Sequence, residues 1–159
     1  MQYQKGLSLI GVLCLLVLGL SACSSVPKAS SSLDRQAKLF KTHPQKSNLY
    51  IYRDDKGSSV EMQLEVDGQL VATSVGDTYV KLEVEPGRHK IMSYADDEAR
   101  LTIAAIKGKN YFIYQSVDIS GGRARTQLNL VREDEGKRGV QASEMIATAP
   151  LSSKVSMRR

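Results

Sequence analysis

Histidine and cysteine are scarce in this 159-residue chain, which contains two of each. A zinc or similar site needs three or four ligands at workable spacing. His43 precedes Pro44 and His89 follows the Pro86-Gly87 turn, so neither has company of the right kind. The cysteines, Cys14 and Cys23, both fall near the start. Whatever folds beyond them must hold by its core, without a disulfide. Covalent catalysis needs a nucleophile, a base and an orienting group, yet no Gly-x-Ser-x-Gly elbow occurs and the serines crowd into polar stretches. Long hydrophobic runs are missing as well. The longest, Leu7 to Leu20, has 14 residues. As a helix it would span about 21 Å, short of the ~30 Å of hydrocarbon that a transmembrane helix crosses.

The carboxylate clusters are equally unpromising as sites. Asp54-Asp55, Asp96-Asp97-Glu98 and Glu133-Asp134-Glu135 lie beside turn residues or lysines, where solvation is the ordinary outcome. The second cluster lacks the alternate-position spacing that calcium loops use. Gly121-Gly122 reads as a hairpin turn with no helix after it to cradle a phosphate. These absences lead to the expectation of a chain that is not an enzyme and takes no cofactor and no metal.

Positive charge is present in excess, +5 overall, but unevenly. Residues 24–47 hold Lys28, Arg35, Lys38, Lys41 and Lys46 against Asp34 alone. Residues 48–150 hold 13 basic and 16 acidic side chains, and Lys154, Arg158 and Arg159 end the chain. The folded part is therefore mildly acidic. Nucleic-acid recognition wants basic residues clustered on the fold itself, so no nucleic-acid partner is expected. A basic tether suits an anionic lipid surface or a merely solvated linker.

The first 22 residues have the layout of a signal peptide: Lys5 in a short polar start, then the apolar run, then small residues. Leu20-Ser21-Ala22-Cys23 resembles the lipobox of bacterial lipoproteins. Ser21 and Ala22 leave room for a peptidase at the backbone, and Cys23 supplies a thiol for a diacylglycerol. The resemblance implies cleavage between Ala22 and Cys23, a lipid-modified Cys23, and acylation of its new amine. Several acyl chains, at ~0.8 kcal/mol per buried methylene, anchor a protein stably. In such proteins Asp after the cysteine favours the inner membrane. Ser24 here implies the outer membrane, facing the periplasm.

The mature chain then divides. Residues 23–47 read as the lipidated cysteine, a flexible spacer from Ser24 to Ser32, and a short helix from Leu33 to Lys41. Ser32 or Asp34 would cap that helix, and Leu33, Ala37 and Phe40 would share its inner face. Residues 48–148 read as β. Leu49 to Arg53 is rich in β-formers, and Val60, Met62, Leu64 and Val66 alternate with polar residues. Asp67-Gly68 is a strong hairpin signal. Val80, Leu82 and Val84 alternate in their turn, and Pro86-Gly87 marks another turn. Tyr111 to Ile119 is apolar on both sides at its start, which predicts a central strand. In Arg123 to Arg132, Ala124, Leu128 and Leu130 share the inner side. Glu133 to Lys137 reads as a charged loop, and Val140 to Ala147 as a strand or a short helix. Residues 149–159 read as a frayed basic tail. Seven to nine short strands with turns every 8–12 residues predict an all-β, antiparallel, immunoglobulin-like β-sandwich.

Asn48-Leu49-Tyr50-Ile51-Tyr52-Arg53, Val66-Asp67-Gly68, Tyr79, Pro86-Gly87-Arg88-His89 and Gly108-Lys109-Asn110-Tyr111-Phe112, in that order, resemble a lipoprotein domain family of unknown function. The middle stretch is also similar to PEGA-type surface domains. The resemblance covers residues 46–132 and implies a β-sandwich at the cell envelope, with no catalytic residues. It leaves 133–159 uncovered.

One surface stands out. Arg123, Arg125, Gln127 and Asn129 should line one face of one strand, with Tyr79, Lys81 and Glu83 lining another elsewhere. Such a face suits a glycan or a peptide, or is simply the solvated side of a sheet. The function expected is a membrane-anchored, non-catalytic binding or structural module whose partner is an envelope protein or peptidoglycan. The alternative is an envelope enzyme, or a small-ligand or metal sensor, with a site the sequence does not reveal.

Overall fold

A computed structural model describes residues 26–151. The segment read as a signal peptide, Ala22 included, and Cys23, Ser24 and the end of the basic tail lie outside the described residues. The elements run α1 (Ser31–Ala37), β1 (Ser47–Tyr52), β2 (Met62–Val66), β3 (Gln69–Ser74), β4 (Thr78–Val84), β5 (Gly87–Tyr94), β6 (Glu98–Ala105), β7 (Asn110–Ser120), β8 (Arg123–Val131), α2 (Glu133–Ala142) and β9 (Glu144–Met145). They form a five-stranded sheet, ordered β8-β7-β1-β4-β9, and a four-stranded sheet, ordered β3-β2-β5-β6. The chain is thus the all-β sandwich that its alternation pattern predicts.

Two pairings depart from an antiparallel plan: β1 runs parallel to β7, and β4 parallel to β9. Parallel neighbours need a long crossover, and residues 53–109, which include the whole second sheet, supply it for β1 and β7.

The inner faces meet in one apolar core built from Leu49 and Ile51 of β1, Leu64 and Val66 of β2, Val80 and Leu82 of β4, Ile91 of β5 and Ile113 of β7. The hairpin of β2 and β3 turns on Asp67 and Gly68, both in the left-handed region at φ 54° and 77°. Two consecutive positive φ angles make the type of turn whose twist matches the flanking strands, and Asp-Gly tolerates it best.

All six residues of β1 are buried, because this strand is covered on both faces. Its outward side chains, Tyr50 and Tyr52, join Tyr79, Phe112, Ala37 and Val140 in a second, smaller core beneath the two helices. Tyr50 and Phe112 stack at 5.1 Å between centroids, and Phe40 meets both rings edge-on. The Tyr50 hydroxyl donates to the Ala37 carbonyl at 3.0 Å, so it ends under α1 and not at a sheet edge. Helix α1 begins two residues earlier than its sequence suggests, capped by Ser30, whose hydroxyl accepts from the Leu33 N–H. Leu33 is exposed, so of the three apolar residues expected inside only Ala37 and Phe40 pack inward.

Helix α2 replaces the expected charged loop at 133–137. Glu133, Asp134 and Glu135 occupy its first turn, where carboxylates complement the helix dipole. Glu133 pairs with Lys137 and Asp134 with Arg138, each four residues on. Gly136 and Gly139 look like helix breakers but are spacers. A Cβ at Gly136 would sit 2.1 Å from Phe112 Cβ, and one at Gly139 2.1 Å from Tyr52 Cε2. The helix lies that close to the sheet because it lacks those two methyls.

The stretch read as a flexible spacer is built into the fold from Val26 onward. Lys28 bridges to Ile146 in antiparallel fashion, the Ala147 N–H donates to the Pro27 carbonyl at 2.8 Å, and Ala29 N–H donates to the Met145 carbonyl at 2.9 Å. Val26 is buried in the main core. Past β9 the chain continues to Ala149, whose N–H donates to the Val71 carbonyl at 2.8 Å, closing the sandwich beside β3. The ordered body therefore extends beyond 48–148 in both directions.

Candidate functional site

The outer face of the five-stranded sheet changes character along its length. Register carries Tyr50 opposite Phe112 and Tyr52 opposite Tyr114, and sets Tyr114 opposite Asn129, Ser116 opposite Gln127, Asp118 opposite Arg125 and Ser120 opposite Arg123. The helices cover the aromatic half. Beyond them, Arg123, Arg125, Gln127 and Asn129 are all exposed on one side of β8. The structure thus brings together the four residues singled out from the sequence. Alternate residues on a strand stand roughly 6.5–7 Å apart, so two guanidiniums and two carboxamides form a ladder beside Ser116, Asp118 and Ser120.

Tyr79 does not belong to an open face. It is buried under α1, and its hydroxyl donates to Asp34 Oδ1 at 2.9 Å. Burial, then the hydrogen bond to Asp34, pushes that phenol far above its usual range. Asp34 also accepts from the Met145 N–H at 3.1 Å and pairs with Lys38 at 3.0 Å. Burial raises its carboxyl, but the bonds from Lys38, Tyr79 and Met145 outweigh this and hold it below the ordinary carboxylate value.

At the seam between the covered and open halves lies Tyr114, 5.4 Å from Tyr52 between ring centroids. Burial and then a hydrogen bond to Asp54 push the Tyr114 phenol up to about 12. Burial, reinforced by Glu135 and Asp54, pushes Tyr52 to about 12 as well. Both stay neutral hydrogen-bonding groups at any physiological pH.

What holds Asp54 near Tyr114 is a fully buried arginine. Arg53 donates through Nε and Nη2 to the two oxygens of Asp55, at 2.9 and 2.5 Å, and through Nη1 to the carbonyls of Val60 and Ser74, at 2.8 and 3.0 Å. One side chain thereby fixes the β1–β2 loop against the end of β3. Its fork geometry suits the bidentate carboxylate.

The open half is also backed by polar groups. Behind Tyr114 and Ser116, Gln115 points inward, accepting from Ser74 Oγ at 2.7 Å and donating to Ser93 Oγ at 2.6 Å. Ser93 and Thr126 hydroxyls meet at 2.7 Å. A satisfied chain of this kind fixes a unique arrangement of the strands that carry it.

Strand β8 is an edge, and its open side is managed by the acidic turn between β5 and β6. Asp96 accepts from the Ala124 N–H at 2.8 Å and Asp97 from the Thr126 N–H at 2.9 Å. These carboxylates are not merely solvated. They cap donors that would otherwise invite another strand, and they fix the backbone of the strand that carries the arginines.

The histidines serve turns. His43 Nδ1 accepts from the N–H groups of Gln45 and Lys46, both at 3.1 Å. His89 lies 2.7 Å from Asp67 Oδ2 and 2.7 Å from the Glu85 carbonyl, tying two hairpin turns together. Among the described residues no group of three or more His, Cys, Asp or Glu could hold a metal ion, and no helix is long and apolar enough to cross a membrane.

Sequence reasoning missed Arg53 with Asp55, and the inward chain of Gln115. The signal for the first was present: an arginine ending a run of buried β-formers, with a carboxylate two residues on. Gln115 sits between residues that alternate outward, and its inward position follows from that alternation.

The fold and this site define a two-sheet β protein presenting a polar, arginine-bearing sheet face. No family model matches the chain, and no solved structure matches it. An uncharacterized protein of Haemophilus influenzae is 35% identical over 142 residues, spanning 87% of this chain and 82% of that protein. The chain belongs to that protein's family.

Proposed function

We propose that this protein is a lipoprotein of the bacterial envelope, acylated at Cys23, whose β-sandwich is a non-catalytic binding or structural module for another envelope component. The observation that carries this reading is the position of Val26. It is buried in the core only three residues past Cys23. Three extended residues reach about 10 Å, so an acylated Cys23 would hold the domain's edge against the bilayer.

That geometry gives the open face a purpose. The paired segment from Val26 to Ala29 lies beside β9, at one edge of the five-stranded sheet, and β8 is the opposite edge. Four strand spacings separate β9 from β8, and the Val26–Ala29 segment adds a fifth, about 24 Å in all. Arg123, Arg125, Gln127 and Asn129 would then sit on the outer face at the edge farthest from the anchor, open to a protein or peptidoglycan partner. Two arginines with carboxamide neighbours suit carboxylates and hydroxyls of a peptide or glycan. Ser24 supports the outer membrane, by resemblance to the sorting of such proteins, and the similarity to PEGA-type domains supports a surface module. The alternative, an enzyme or a ligand sensor of the envelope, has no comparable feature in its favour.

The test is fractionation with pull-down. Wild type should sediment with membranes and recover a crosslinked envelope partner. Cys23→Ala should release the chain or leave it unprocessed. Arg123→Glu with Arg125→Glu should stay on the membrane and lose the partner. Normal acyl labelling and membrane retention of Cys23→Ala would refute the anchor, and partner recovery unchanged by the double substitution would refute the face.

A further inference from the structure

Beside the anchored end lies an apolar groove of 260 Å³, formed where the two terminal segments meet β3. Its floor includes Val26, Val71 and Ile146, and its rim Leu70, Ala147 and Ala149. Of the lining side chains only Thr73 is polar, and none is charged. Leu70 stands 51% exposed at the lip. Two backbone bonds run along the groove, from Ala147 to Pro27 and from Ala149 to Val71, and the surface left open between them is mostly apolar.

The occupant must be apolar and must be near. The chain's own end, Ser152 to Arg159, has only Val155 and Met157 as apolar side chains, separated by Ser156 and flanked by Lys154, Arg158 and Arg159, which argues against it. Cys23 is three residues from Val26, within about 10 Å by chain length. We infer that the groove seats an acyl chain carried by Cys23 of the same molecule. This rests on the lipoprotein reading above and deepens it. Moving such a chain from bilayer to groove exchanges one apolar surrounding for another. The gain is that the rim formed by Leu70, Ala147 and Ala149 leaves water. A seated chain would also fix the domain's orientation, which a three-residue tether alone does not.

The test uses the full-length protein in its native membrane. Cells are fed palmitate bearing a terminal diazirine, the envelope is irradiated, and the purified lipoprotein is digested and mapped by mass spectrometry. The expected product joins the Cys23 peptide, through its acyl chain, to peptides spanning 70–73 or 146–149 within one chain. Leu70→Glu, at an exposed position, should lower that yield on the order of tenfold by placing a charge against the chain. Ala147→Trp, also exposed, should lower it by filling the groove; circular dichroism would show both variants folded. Label confined to phospholipid or to other proteins would overturn the inference while leaving the lipoprotein reading intact. So would a groove adduct with the mass of a phospholipid, or a crosslink that doubles the mass on a gel. A Cys23 that takes up no fatty acid at all would overturn both.

Discussion

Replacing Gly136 with alanine tests whether α2 is seated as described. In an ordinary exposed helix that change stabilises by about 1 kcal/mol, because glycine carries the larger entropy cost. Here the added methyl would lie 2.1 Å from Phe112 Cβ and 2.3 Å from Phe112 Cγ. Phe112 Cβ is fixed to β7, so rotation of the ring does not relieve the overlap. Either α2 lifts from the sheet or the strand yields. Forcing an extra carbon into a packed site costs typically 1–3 kcal/mol, and the contact through a backbone-fixed atom puts this case toward the upper end. After subtracting the propensity gain, the net loss is about 1–2 kcal/mol. For a body of this size that lowers Tm by roughly 3–10 °C. Thermal unfolding followed by circular dichroism reads it directly. The reasoning fails if Gly136→Ala raises Tm, as it would in a helix free of the sheet.

Two further outcomes follow from charged side chains held by hydrogen bonds. Arg53→Met would leave the Asp55 carboxylate and the carbonyls of Val60 and Ser74 without their donor, and should cost about 3–5 kcal/mol, seen as a lower urea midpoint at unchanged slope. Asp34 has a folded pKa below its ordinary value, so the unfolded chain binds its proton first. The stability it contributes is therefore present above the ordinary carboxylate pKa, ~3.9, and disappears as pH falls through the lower folded value. Urea titrations across pH 6 to 3 should show a shallower acid loss in Asp34→Asn than in wild type.

Most of the β architecture was legible because it rests on two-residue alternation and turn chemistry, both local. Met62 to Val66, Asp67-Gly68 and Val80 to Val84 are where the pattern places them. The four-residue face on β8 was legible for the same reason, since Arg123, Arg125, Gln127 and Asn129 are spaced by two. What escaped was decided by distant neighbours. Gly136 reads as loop and Gly139 gives no helix signal until Phe112 and Tyr52 are seen pressing on them. Leu130 has the right parity for the core, yet it is 52% exposed because it lies near the end of an edge strand. The parallel pairing of β1 and β7 depends on where a 57-residue crossover returns. The stretch from Ser24 to Ser32 reads as spacer, although residues 145–147 offer its later part backbone partners.

The central claim is that acylated Cys23 begins the mature chain and holds the sandwich at a membrane. Intact-mass and N-terminal analysis of protein isolated from its native envelope tests it most directly. The account predicts a chain starting at residue 23, heavier than its sequence by a diacylglycerol and an amide-linked acyl group. A native protein that starts at Met1 and carries no fatty acid would contradict it.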